Sequence, residues 1–149
     1  MTTYKTLMGL LIANYHYAVF GLESALFINS DSVDEFQFDL FFKKGNRRIN
    51  DQLIRPWYLA PHLFEIGITE IEEEGATFPI YDINITCVHY LFLKDEMSAE
   101  YFERGKRQIK RLILENKANP FQIQKYIRLF PKANSLQSDF ENLILRDLA

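Results

Sequence analysis

Apolar residues near the start of the chain recur at helical spacing: Met8, Leu11, Ile12, Tyr15, Val19, Leu22 and Leu26 share one side. Leu10, Tyr17, Phe20 and Ile28 make the opposite side apolar as well. A helix apolar nearly all round belongs in the centre of a fold or in an oligomer interface, so this stretch predicts an N-terminal core helix and admits a homodimer. Asn14, His16, Glu23 and Ser24 interrupt the run from Leu7 to Ile28, which argues for a core helix over a membrane span or signal segment, and no membrane partner is expected.

Asn29 to Asp34 reads as a break, after which the period falls to two. Phe36, Phe38, Leu40 and Phe42 alternate with Gln37, Asp39, Phe41 and Lys43, the pattern of a half-buried strand ended by Lys44-Gly45-Asn46. A helix opening at Asp31, capped by Asp31 and Asp34, is the competing reading. Arg47 to Ile54 fits a short helix, and Pro56 and Pro61 bracket Trp57, Tyr58 and Leu59 in an irregular segment. Leu63 to Leu93 then reads as one long hairpin turning near Gly75. Its second strand would put Tyr81, Ile83, Ile85, Cys87, His89 and Leu91 on one face.

From Ser98 the pattern is helical to the end. Tyr101, Phe102, Gly105, Ile109, Leu112 and Ile113 share an arc opposite Arg104, Lys106, Arg107, Lys110 and Arg111. Asn119-Pro120 starts a second helix through Leu129, with Asn as cap and Pro at the first helical position. Pro131 stops it, and Ser135 to Leu148 forms a last helix with Leu136, Phe140, Leu143, Ile144 and Leu148 inward. The predicted architecture is α+β: a core helix, about three antiparallel strands including the long hairpin, then three helices, with no parallel βαβ signature. No repeat or linker divides it, so residues 1–149 are read as a single domain.

Composition supports a packed core, because 48% of the residues are hydrophobic and 13 Phe, 8 Tyr and one Trp supply bulk. A lone cysteine, Cys87, has no internal disulfide partner and points to a reducing, cytoplasmic setting. The net charge of −3 is unevenly spread: residues 1–97 hold 7 Lys and Arg against 14 Asp and Glu, and residues 98–149 hold 10 against 6.

No linear catalytic or phosphate-binding motif is present, and no cofactor or metal site is expected. Cys87 and His89, two apart on one strand face, suggest a metal or nucleophile pair, although free Cys is among the most buried residue types and the plainer reading is core packing. His16 and Glu23 read as a buried polar pair on the first helix. Asn84-Ile85-Thr86 fits the glycosylation pattern without meaning in a cytoplasmic chain. Glu70, Glu72, Glu73 and Glu74 at the hairpin tip either guard a strand edge or form an acidic patch for a basic surface. Arg55, Trp57 and Tyr58 are types enriched in interface hot spots.

These features predict a non-catalytic protein-binding protein contacting its partner through Arg55, Trp57, Tyr58, Glu70, Glu72, Glu73 and Glu74. A bacterial toxin-immunity protein or phage-encoded inhibitor of a toxin or nuclease with a basic surface is the kind expected. The alternative is a nucleic-acid-binding regulator using Arg104, Arg107, Lys110 and Arg111, extended by Lys117, Lys125, Arg128 and Lys132.

Overall fold

The computed structural model describes residues 4–27, 37–45, 48–73 and 75–148, in two compact units, Met1–Asp82 and Ile83–Ala149. The expected break from Asn29 to Asp34, the competing helix from Asp31, and Glu74 lie outside the described residues.

The N-terminal unit holds a five-stranded mixed sheet among its described residues. The strands are β1 (Val19–Phe20), β2 (Phe38–Lys43), β3 (Ile54–Leu59), β4 (Ile68–Glu73) and β5 (Ala76–Tyr81), in the order β3-β2-β1-β5-β4. β1 is antiparallel to β2 and β4 to β5, whereas β1 with β5 and β2 with β3 run parallel. About three antiparallel strands is therefore a wrong count and a wrong topology. Helices α1 (Tyr4–Ile12), α2 (Glu23–Leu26) and α3 (Pro61–Phe64) complete this unit.

The expected long N-terminal core helix is also corrected: α1 ends at Ile12, and the chain turns so that Val19–Phe20 becomes the sheet's central strand. A central strand buried on both faces is as apolar all round as a core helix, so the pattern alone does not separate the two. Ala18, Phe20, Phe38, Leu40, Phe42, Ile54, Phe78 and Ile80 pack with Met8 and Leu11 of α1 into one core. Residues 54–59, expected to be irregular, pair along the whole of β2, and Pro56 is tolerated because β3 is an edge strand.

The hairpin turns where expected, at Gly75, whose φ of +81° suits a residue without Cβ. Its second strand, however, stops at Tyr81, and Ile83–Phe92 is helix α4 of the C-terminal unit. Seven consecutive residues, Ile85 to Leu91, are buried, so α4 carries no polar face to betray a helical period.

Helices α5 (Ala99–Leu114), α6 (Pro120–Ile127) and α7 (Ala133–Asp139) follow, and the last continues as a π-helical turn, Phe140–Leu145. Ser98 Oγ accepts from the Tyr101 amide at the start of α5, and Asn119 Oδ1 accepts from the Phe121 amide at the start of α6. Tyr101, Gly105, Ile109 and Leu112 are the buried stripe of α5. Gly105 is required by packing: a Cβ there would lie 2.1 Å from Tyr90 Cε1 of α4. Among the described residues no helix is long and apolar enough to cross a membrane.

Candidate functional site

The N-terminal unit carries an open cleft of about 740 Å³ lined by Asn14, Tyr15, Tyr17, Phe42, Lys43, Ile49, Phe64 and Glu65. Its parts come from the ends of strands and helices that the sheet gathers together. Phe42 and Lys43 finish β2, Tyr15 and Tyr17 precede β1, and Phe64 and Glu65 finish α3. Phe42 and Phe64 are buried, while Tyr17 is 62% exposed with the His16 ring 4.2 Å away.

Internal hydrogen bonds fix the walls. The Tyr15 hydroxyl donates to Asp51 Oδ2 at 2.9 Å, which, with some burial, raises the phenol's pKa above its ordinary value. The Tyr58 hydroxyl accepts from the Ile49 amide at 3.0 Å, and its ring packs on Phe42 at 5.9 Å. At the lip, Lys43 Nζ lies 3.0 Å from Glu65 Oε1 and 5.5 Å from the centre of the Phe64 ring. Asn14 also borders a smaller apolar groove of about 290 Å³, flanked by the exposed Leu10 and Leu53.

The residues expected to touch a partner divide by strand face. Tyr58 does not line the cleft but backs it through Ile49 and Phe42. Arg55 and Trp57 project from the other face of β3 onto Asp39, which is completely buried in β2. Asp39 Oδ1 accepts from Arg55 Nε at 3.0 Å and from Trp57 Nε1 at 2.9 Å. Arg55 also reaches Glu23 Oε2 at 3.5 Å, and Ser24 Oγ accepts from the Asp39 amide. In the half-buried pattern the sequence suggests, Asp39 would face solvent; its salt bridge and hydrogen bonds are what permit burial.

Glu70 and Glu72 are exposed on β4, two apart and so on one face, with Glu73 at the strand's end. Because β1 is antiparallel to β2 and parallel to β5, the end of β2, the start of β1 and the hairpin tip all lie at one end of the sheet. The acidic strand and the aromatic cleft thus share that end. The cleft leaves no pattern in the sequence because its lining is scattered over residues 14–65; exposed Tyr17 beside His16 is the nearest local signal.

The pairs read from sequence as possible chemistry come apart. Cys87 and His89 sit on a helix, not a strand, so two residues apart places them on different sides. Both are fully buried, which pushes the Cys87 thiol pKa up and the His89 pKa down to about 3. His16 and Glu23 do not share a helix: His16 is in the turn after α1, and Glu23 opens α2. Thr86 of the glycosylation pattern is buried, and Asn84 Oδ1 accepts from the Asn119 amide at 2.7 Å.

Of the basic residues on α5, Arg104 pairs with Glu100, Lys106 with Glu103, Lys110 with Asp147 and Arg111 with Glu115, while Arg107 is exposed. The Lys110 ammonium, at 2.6 Å, holds the Asp147 carboxyl below its ordinary pKa. Among the described residues no group of three or more His, Cys, Asp or Glu is placed to hold a metal ion. Neither a family model nor a curated protein matches the sequence.

Proposed function

We propose that this chain is a non-catalytic protein-binding protein that regulates or inhibits another protein by seating part of it in the cleft at the end of the sheet. The carrying observation is the cleft: exposed Tyr17 shares its lining with buried Phe42 and Phe64, and internal hydrogen bonds tie Tyr15 and Ile49 of its walls to Asp51 and Tyr58. Rigid aromatic pockets of this kind take the central anchor of an interface. Glu70 and Glu72 at the same end favour a partner with a basic surface, as a toxin or nuclease has, and residues 1–82 hold twelve Asp and Glu against six Lys and Arg. Cys87 and His89, buried and apart, support a binding role over nucleophilic catalysis.

Affinity capture from the native cell at moderate salt, with a nuclease-treated control, tests the proposal. One stoichiometric protein partner is expected, with Tyr17→Ala weakening it about tenfold or more and charge reversal at Glu70 and Glu72 slowing its association. Failure to capture such a partner, or unchanged affinity in both variants, overturns the reading.

A nucleic-acid role has one observation in its favour, on α6 and the residues that follow it. Phe121 is 76% exposed, and Lys125, Arg128 and Lys132 make no ion pair among the described residues. Loss of bound nucleic acid with rising salt, abolished by Lys125→Glu with Arg128→Glu, is the outcome that would select it.

A further inference from the structure

At the lip of the cleft the chain already holds a cation of its own. The Lys43 ammonium touches the Glu65 carboxylate and lies over the Phe64 face. A carboxylate beside an aromatic face is what a cation site requires, and the exposed Tyr17 lines the same cleft. The side chains of Lys43 and Glu65 are 44% and 60% exposed, so their pairing is weak and open to exchange. Arginine is the better ligand for such a place. Its guanidinium is planar, stacks on rings, meets a carboxylate through two hydrogen bonds and is less strongly hydrated than an ammonium.

We propose that the cleft is a guanidinium site: the anchor it takes from a partner is an arginine side chain, and Lys43 is an internal occupant that the arginine displaces from Glu65 and Phe64. This rests on the protein-binding reading and names the partner's chemistry, a basic surface with a protruding arginine. The exchange is one cation for another, so the cleft's charge balance is kept when Lys43 swings into solvent. Lys44 and Arg48 are exposed and adjacent in the chain to the lining residues, so the charges next to the lip oppose an incoming cation and the affinity comes from short-range contact with Glu65 and the Phe64 ring, while Glu70 and Glu72 act on approach.

The test titrates L-argininamide into the full chain, followed by backbone amide NMR shifts, with L-leucinamide as control. Shifts at residues 15–17, 42–44 and 64–65 are expected with argininamide alone. Lys43→Met, which removes the internal competitor, should bind about tenfold more tightly, and Glu65→Gln about tenfold more weakly. Glu65 is exposed and Lys43 half-buried at the end of β2, and unchanged spectra away from the cleft confirm that each variant is folded. Equal shifts with leucinamide, weaker binding in Lys43→Met, or unaltered binding in Glu65→Gln overturns the guanidinium site. Such a failure leaves a captured protein partner standing with a different anchor, whereas failure to capture a partner removes the protein-binding reading whatever argininamide does.

Discussion

Two clusters in the N-terminal unit are made of the same ingredients, a carboxylate, a cation and an aromatic ring. Asp39, Arg55 and Trp57 form one, and Glu65, Lys43 and Phe64 the other. In the first the carboxylate has no exposed surface, and one oxygen accepts from both Arg55 and Trp57. In the second the two charges meet in solvent at the edge of a cleft. Burial separates their roles. A buried carboxylate cannot exchange its partners without being left uncompensated, so the first cluster ties β2 to β3. The exposed pair loses little on exchange and is free to serve recognition.

The comparison breaks first if Asp39 is dispensable. Asp39→Ala takes the buried carboxylate away from the largely covered Arg55 guanidinium, and urea unfolding should record a loss of about 3 kcal/mol. Trp57→Phe, which removes the indole donor to Asp39 together with part of the ring packed on Phe41, should cost about 2 kcal/mol in the same measurement.

His89 shows what burial does to an ionisable group on α4. Its folded pKa of about 3 lies below the ordinary 6.5, so the unfolded chain binds the extra proton between those values. The stability contributed by neutral His89 is complete above about pH 6.5 and is lost as pH falls toward 3, at a slope approaching about 1.4 kcal/mol per pH unit. Unfolding free energies of the wild type and His89→Leu across this range should differ by that slope; parallel curves would show that His89 is not the source. The smallest effect is expected at the exposed pair, where Lys43→Met and Glu65→Gln should each change stability by less than about 0.5 kcal/mol while altering argininamide binding in opposite directions.

What could be read in the sequence follows from where water contacts the chain. On α5 the buried Tyr101, Gly105, Ile109 and Leu112 alternate with charged residues at the helical period, and Ser98 and Asn119 announce helix starts by chemistry that acts within one turn. The turn at Gly75 is legible for the same local reason. Ile83–Phe92 has the pattern of a strand in sequence because its branched and aromatic residues favour strands and it has no wet face to impose the period of a helix. Val19–Phe20 merges into a helical pattern for the converse reason: a two-residue strand at the centre of a sheet has apolar neighbours on both sides.

By itself the sequence determined the amphipathic helices after Ser98, the hairpin turn, the α+β class and the acidic character of the first half, because each is written in contacts a few residues long or in composition. The parallel strand pairs, the burial of Asp39, the separation of Cys87 from His89 and the cleft were decided only by tertiary structure. Each depends on residues far apart in the chain meeting in space, and a one-dimensional pattern carries polarity and spacing but not the partner that satisfies a charge or closes a wall.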